Sequence, residues 1–426
     1  MISRRRLCPC RLAHTRSGRT LWLVLLLALI AGAGIVLGSY GWTEYEYRSA
    51  LVALERHDLA QAQEHLNFFL RIRARNADAR LLAARIARRG GDFESAERAL
   101  RAHEQLQHTS PEGALEWALL RAQQGDLEQN ESLLRPLLEK SPDRALILEA
   151  LAQGYIQTMR MHEALECLDR LVEADPGHYR AYLWRGVLED SLDGRDDALR
   201  DFARAVELAP HFQEARLRLA EELYHLGRPR EAIAHYEYLR TREPENADVL
   251  LGLARCRFDL GEWPAADALL DKLLAGSPNH AAALTERGRL AFHEQHPHQA
   301  ETWLRQAVKV APHDRAAHYL LHLALEAQDK GAEDQQVVAR LREIEADQSR
   351  LTTLMSRLKE APGDPGVRTE IGQVLLRVGR EPEGEQSLRT ALQYNPRFAP
   401  AHAALADYYQ RIGQLLLAAE HRRLGH

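Results

Sequence analysis

Two groups of residues in the sequence have types and spacings that could do chemistry. The first is the hexapeptide His293-Glu294-Gln295-His296-Pro297-His298, which places three imidazoles within six residues. His293 and His296 can share a helix face and His298 can close a site for Zn²⁺ or Ni²⁺. The hexapeptide is not a HExxH protease motif, because Pro297 occupies the place of the second histidine. A polar turn between two helices is the favoured alternative, and we therefore expect no metal.

The second group recurs every 34 positions. It combines three charged residues with three aromatic residues that follow them by three positions: Glu221, Arg255 and Arg289, then Tyr224, Phe258 and Phe292. An aromatic ladder flanked by charges suits an extended or helical peptide, with the rings as anchors and the arginines fixing the register. The alternative is that these rings mainly pack against neighbouring helices.

Catalytic residues are not predicted. Serine, histidine and acidic residues are scattered with the spacing of helix surfaces. No glycine-rich phosphate loop follows a strand, because the sequence contains no strand pattern. We expect a protein that is not an enzyme and that needs no cofactor.

The charge distribution argues against a nucleic-acid partner. Residues 1–19 carry six arginines and no acid, which leaves 50 basic and 61 acidic residues elsewhere, a net charge of −11. Phosphate binding needs a clustered basic face, which an acidic body does not provide. The four cysteines (Cys8, Cys10, Cys167 and Cys256) form neither a disulfide framework nor a CxxC zinc pair.

The elements that must position these residues follow from a strict register of prolines. Pro142, Pro176, Pro210, Pro244, Pro278 and Pro312 are spaced by 34 residues. Small residues stand twelve positions before five of them (Ala164, Ala198, Ala232, Ala266 and Ala300) and again twelve positions earlier (Ala152, Gly186, Ala220, Ala254 and Gly288). Turn glycines recur at Gly91, Gly125, Gly227 and Gly261. Each period reads as a helix, a tight turn and a second helix, with small residues where the two helix axes approach closely.

A 34-residue helix-turn-helix period with these positions resembles the tetratricopeptide repeat (TPR) family, over residues 43–426. The resemblance implies an all-α fold, a right-handed α-solenoid of about ten helix-turn-helix repeats, and a protein-binding role. It also implies that the first helix of each repeat lines a concave groove, which places the six recurring residues there. The family's carboxylate clamp for chaperone tails requires asparagine and lysine, whereas Glu221, Arg255 and Arg289 stand at those places, so chaperone-tail binding is not expected.

The register also predicts the domain organisation. Eight TPR units cover residues 43–314, and a ninth unit with an elongated or additional helix covers 315–364, where the register slips by 16 residues between Pro312 and Pro362. Residues 365–426 supply two C-terminal units, of which the last is truncated.

The N-terminal region predicts a membrane anchor. Residues 1–19 form a basic tail, and residues 20–42 are uncharged and end in aromatic residues. As a helix, Leu21 to Trp42 spans about 33 Å, which is enough to cross a bilayer core. The six arginines before this span predict a cytoplasmic N-terminus and a solenoid on the periplasmic face of the inner membrane of a bacterium. A cleaved signal peptide, with Ala31-Gly32-Ala33 at the cleavage site, is the alternative.

These observations together predict a membrane-anchored scaffold that binds a protein or peptide partner in its concave groove within the cell envelope. The alternative is a regulatory subunit or adaptor of a membrane enzyme, with repeats that face the cytoplasm. Neither the partner nor the oligomeric state follows from the sequence.

Overall fold

The computed structural model describes residue 26 and residues 40–108, 110–139, 141–192 and 194–425. Within these ranges the chain forms 22 α-helices and one 3₁₀ turn, and no residue is in a strand. The prediction of an all-α, TPR-like solenoid is confirmed for this part of the chain. Residues 1–120 and 121–426 form two compact units, called unit 1 and unit 2 below.

The helices follow one another in antiparallel pairs joined by short turns. Unit 1 contains α1, described over 40–55, then α2 Leu59–Ile72, α3 Ala77–Arg89 and α4 Phe93–Leu106, and α5 Pro111–Gln123 crosses the unit boundary. Unit 2 continues with α6 Asn130–Leu134, the 3₁₀ turn Arg135–Leu137, α7 Arg144–Gln157, α8 Met161–Ala174, α9 Tyr179–Ser191, α10 Arg195–Leu208, α11 Gln213–His225, α12 Pro229–Arg240, α13 Ala247–Asp259, α14 Trp263–Gly276, α15 Ala281–His293 and α16 Pro297–Val310. It ends with α17 Arg315–Glu326, α18 Gly331–Glu360, α19 Pro365–Arg377, α20 Glu381–Tyr394, α21 Ala399–Arg411 and α22 Leu415–Leu424.

Local chemistry explains where many of these helices begin. The carboxylates of Asp58, Asp92 and Asp314 accept hydrogen bonds from backbone N–H groups in the first turn of α2, α4 and α17. Such caps satisfy donors that have no partner inside the helix and stabilise it by about 1 kcal/mol each. Between paired helices, the turn residue adopts a left-handed conformation, with φ of 70° at Gly227 and 79° at Gly261. Glycine suits this conformation because it has no Cβ to clash.

The small residues of the repeat lie where the two helices of a pair press together. Ala220 and Ala232 are completely buried between α11 and α12. A Cβ added to Gly288 on α15 would lie 2.5 Å from Cγ of Leu304 on α16. That separation is far inside van der Waals contact, so any side chain at position 288 would push the helices apart. The small-residue spacing seen in the sequence therefore records helix contact.

Two segments of unit 2 depart from the regular pair. The second helix after α5 is broken, because α6 has only five residues before it passes into the 3₁₀ turn. Pro136 lies in that turn and lacks the N–H that a continuous α-helix needs. In contrast, α18 is a single helix of 30 residues, about 45 Å long at 1.5 Å per residue. The residues that shift the register thus lengthen one helix rather than form another.

The membrane prediction requires correction. Among the residues that the structure describes, no helix is both long and apolar enough to cross a bilayer. The predicted span, residues 20–42, lies outside the described residues except for Leu26 and residues 40–42, as does the basic tail 1–19. On this finding the assignment to the inner membrane, with the repeats on the periplasmic face, is wrong.

The aromatic residues that suggested an interfacial belt have partners within unit 1. The ring of Trp42 lies 6.2 Å from that of Tyr45 and 6.3 Å from that of Phe68 on α2. The Arg73 guanidinium lies 3.7 Å from the centre of the Tyr40 ring. These residues are partly exposed, but they contact the next helix, which supplies a physical reason for their types other than a lipid interface.

Candidate functional site

The six recurring residues lie on the first helices of three consecutive pairs in unit 2. They are half-buried and arranged two to a helix: Glu221 and Tyr224 on α11, Arg255 and Phe258 on α13, and Arg289 and Phe292 on α15. α11 contacts α13 and α13 contacts α15 directly, although a second helix separates them in the sequence. The residues therefore share one surface, called the first-helix face below.

An ion-pair chain runs across the first-helix face. The Arg255 Nε donates to Glu286 Oε1 at 2.7 Å, between α13 and α15. Arg289 lies next to it, with Nε 2.8 Å from Glu286 Oε2 and Nη2 3.3 Å from Asp259 Oδ1. The two predicted arginines are thus connected through a carboxylate that both contact. This arrangement fixes the position of each guanidinium before any ligand binds.

Glu221 and Tyr224 extend this charged surface onto α11. Glu221 Oε2 accepts from Arg218 Nη1 at 3.1 Å, and burial raises the pKa of the Glu221 carboxyl. Burial, followed by the nearby carboxylate of Asp259, raises the pKa of Tyr224 to about 12. The Tyr224 hydroxyl is therefore protonated at neutral pH and can both donate and accept hydrogen bonds.

The three aromatic rings have different environments. The Arg289 Cζ lies 4.0 Å from the centre of the Phe258 ring, and the His293 ring meets Phe258 edge to face at 5.4 Å. Tyr224 and Phe292 each pack against a hydrophobic core cluster. Phe258 is therefore the ring most integrated into the charged surface, whereas Tyr224 and Phe292 also contribute to packing between repeats.

Sequence reasoning missed the acidic partners of the arginines. Glu286 and Asp259 hold Arg255 and Arg289 in place, yet neither belongs to a recurring 34-residue series. Glu286 could have been found as an (i, i+3) neighbour of Arg289 on one helix face. Asp259 could not, because its role depends on the distance between α13 and α15.

The histidine hexapeptide forms an aromatic contact at the end of the first-helix face. His293 lies 4.4 Å from the Trp263 ring and 5.4 Å from the Phe258 ring, measured between ring centres. His296 and His298 are exposed, and Gln295 between them takes the left-handed turn conformation at φ 63°. In the part of the chain that the structure describes, no group of three or more His, Cys, Asp or Glu residues is arranged to hold a metal ion.

The fold and this surface together define a class, that of all-helical TPR-like repeat proteins. Models of the tetratricopeptide repeat match residues 47–111, 150–195, 190–236 and 223–290. These matches support the assignment of the chain to the TPR family.

Curated proteins with similar sequences carry the same kind of repeat or match only a short segment. The chain is 38% identical over 71 residues to Protein STIP1 homolog of Dictyostelium discoideum, a match that covers 17% of this chain and 13% of that protein. It is 25% identical over 207 residues to Tetratricopeptide repeat protein 16 of Mus musculus, covering 44% of this chain and 27% of that protein. The chain thus spans less than a third of either relative.

Solved structures with a similar fold include bacterial repeat proteins. A tetratricopeptide repeat protein from Parabacteroides merdae matches at 22% identity and a TM-score of 0.38, covering 58% of this chain and 98% of that one. PilW, described as a widely conserved type IV pilus biogenesis factor, matches at 20% identity and a TM-score of 0.42, covering 48% of this chain and 94% of that one.

Proposed function

We propose that the first-helix face of unit 2 binds an extended peptide segment of a partner protein. The observation that carries this proposal is the continuous row of half-buried aromatic and charged side chains on α11, α13 and α15, tied together through Glu286 and Asp259. Rings and guanidinium groups are the side chains most often found at energetically important positions of protein interfaces.

The ion pairs favour a peptide that carries apolar anchors together with charged side chains. Arg255 and Arg289 already contact carboxylates, so a ligand carboxylate must replace one of them rather than find an unpaired cation. Such an exchange keeps each charge paired, and it selects position more than it adds affinity. Apolar side chains beside Phe258 would then contribute most of the binding energy. The protein would act as a scaffold that holds its partner without changing it chemically.

A peptide-display library panned against the purified full-length chain tests this proposal. Peptides selected on the native protein are titrated by fluorescence anisotropy against Phe258→Ala and Arg289→Ala. We expect each variant to raise Kd by about tenfold or more, as loss of an interface anchor does. Arg240→Ala is the matched control, because Arg240 lies on the second helix α12 and contacts only Glu237 in an exposed ion pair.

The result that would contradict the proposal is equally specific. If both variants retain their helical circular dichroism and bind the selected peptides within twofold of the native Kd, the first-helix face is not the binding surface. Loss of binding in Arg240→Ala alone would move the site to the second helices.

A further inference from the structure

The last repeats of unit 2 return to contact its first helices through a buried arginine. Arg368, near the start of α19, is 1% exposed, and its Nη1 donates to the carbonyl oxygen of Met159 at 3.1 Å. The same guanidinium donates to the carbonyl oxygen of Pro362 from Nε at 3.0 Å and from Nη2 at 2.8 Å. Arg368 and Met159 are separated by 209 residues. A solenoid repeat ordinarily contacts only its neighbours, so the repeat pattern does not require this contact.

A tyrosine joins the two sides of this contact. The Tyr394 ring at the end of α20 has the Arg368 Cζ 5.1 Å from its centre and the Arg160 Cζ 5.8 Å from its centre. Arg160 belongs to the turn before α8 and is held by Glu131 at 2.8 Å and Glu163 at 2.7 Å. Two cations from distant repeats therefore approach one aromatic ring. We call the set Met159, Arg160, Arg368 and Tyr394 the clasp.

Burial works against the clasp as well as for it. Removal from solvent lowers the pKa of Arg368 from its ordinary value, which shows that its charged form is poorly solvated in the closed arrangement. In an open arrangement the guanidinium would regain water while losing its carbonyl partners. The difference between the two arrangements is therefore small compared with either term, as a releasable contact requires.

Methionines surround the clasp. Met159, Met161 and Met355 line one small void of about 20 Å³ between the start of α8 and the end of α18, together with Leu192 and Leu358. They are three of the four methionines in the whole sequence, and all three are partly exposed. Thioether side chains fit irregular apolar contacts, and they are also the side chains that peroxides convert into polar sulfoxides.

Met159 occupies a position where a side chain is unfavourable for the turn itself. Its φ is 52°, and the equivalent turn residues Gly91, Gly227 and Gly261 are glycines with φ of 70° to 82°. A non-glycine residue in this left-handed conformation is strained. The side chain gains contact with Met355 and Leu358 across the clasp, which gives a reason for methionine at a glycine position.

We propose that the clasp is a peroxide-sensitive latch that joins the first and last repeats of unit 2. A hydroperoxide transfers one oxygen atom to a methionine sulfur; the O–O bond breaks, the sulfur loses two electrons, and the peroxide leaves as water or an alcohol. The resulting sulfoxides are polar and have no polar partner within the apolar void. Oxidation therefore disfavours the closed arrangement and releases Arg368 from the Met159 carbonyl. This mechanism is independent of what the first-helix face binds.

Pulsed electron paramagnetic resonance on the full-length chain tests the latch. Spin labels are attached at Glu128→Cys and Gln393→Cys, two exposed positions that line a cavity of about 360 Å³ on opposite sides of the clasp, after the four native cysteines are replaced. We expect one short distance before treatment. After hydrogen peroxide, that population should fall by more than half and a longer distance should appear. Arg368→Ala should show the longer distance without oxidation.

Two matched variants make the test decisive. The combined Met159→Leu, Met161→Leu and Met355→Leu variant keeps the apolar contact but cannot form sulfoxides, and it should stay closed in peroxide. Arg377→Ala, on the same helix as Arg368 but paired with Asp347, should also stay closed. If Arg368→Ala is poorly folded, the peroxide comparison still decides the question. The proposal is overturned if all three methionines are oxidised by mass spectrometry with no change in distance, if the leucine variant opens equally, or if folded Arg368→Ala remains closed.

Discussion

Unit 1 and unit 2 contain the same ion pair at equivalent repeat positions, and they differ in how deeply it is buried. Arg85 Nε lies 3.3 Å from Glu116 Oε2 in unit 1, and Arg255 Nε lies 2.7 Å from Glu286 Oε1 in unit 2. The arginines are 170 residues apart, which is five repeat periods. The Glu116 side chain is 1% exposed, whereas Glu286 is 12% exposed and Arg255 is 32% exposed.

The second cation at each carboxylate accounts for the difference. In unit 1 it is Arg88, which is fully buried with Nε 2.5 Å from Glu116 Oε1. Arg88 stands at the repeat position that Phe258 occupies in unit 2. Unit 2 instead supplies Arg289, from the helix that carries Glu286 itself, and it remains partly exposed. One repeat geometry thus gives a structural charge cluster in unit 1 and a solvent-accessible surface in unit 2.

The largest expected effect is on the stability of unit 1. Glu116→Ala removes the carboxylate that buried Arg88 faces, so we expect the free energy of unfolding of unit 1 to fall by about 3–5 kcal/mol. Hydrogen exchange of the α3–α5 amides measures it. Glu112→Ala, an exposed acid on the same helix, is the control and should change little. A loss below about 1 kcal/mol for Glu116→Ala would show that the two ion pairs are energetically alike.

A smaller effect is expected at the equivalent residue of unit 2. Glu286→Ala should lower the opening free energy of the α13–α15 amides by roughly 1 kcal/mol, since the arginines it releases can reach water. The same hydrogen-exchange experiment measures it, with Glu245→Ala in the exposed loop before α13 as the control. A loss as large as that of Glu116→Ala would place both carboxylates in structural roles.

Ionic strength should separate the pairs further. Raising salt from 0.1 to 1 M shortens the Debye length from about 10 Å to about 3 Å and weakens exposed pairs most. In double-mutant cycles with alanine, we expect the coupling energy of Arg255 with Glu286 to fall by more than half, and that of Arg88 with Glu116 to persist. Equal salt dependence of the two couplings would contradict the assigned difference in burial.

The smallest effect concerns pH. Burial raises the pKa of Glu221 in the folded protein, so the unfolded chain gives up this proton at lower pH. The stability associated with the protonated carboxyl is then complete below the unfolded pKa and is lost as pH rises through the folded pKa. Relative to Glu221→Gln, we expect the native protein to lose a few tenths of a kcal/mol between about pH 4 and pH 6, because partial exposure and Arg218 limit the shift. Urea titrations of both proteins at several pH values measure this, and an opposite slope would contradict it.

Much of the fold was readable from the sequence because a repeat writes the same packing requirement many times. The small residues around Gly288 and Ala220 mark helix contacts that the structure confirms. The equivalence of Arg85 and Arg255 is also visible as a multiple of 34. Their different burial is not, because it depends on what packs over each carboxylate. The clasp was hidden for a similar reason, since a contact between Met159 and Arg368 follows from the path of many successive repeats and from no local pattern.

The clasp also imposes an order on how unit 2 is completed during synthesis. Helix pairs such as α9–α10 depend on contacts within a few tens of residues, so each can form soon after it leaves the ribosome. Met159, in contrast, must wait until Arg368 and then Tyr394 have been translated. Until then its turn is strained and the apolar side chains beside it are uncovered. A nascent chain is therefore most vulnerable to oxidation and to chaperone capture at this turn, during the interval between these two points of translation.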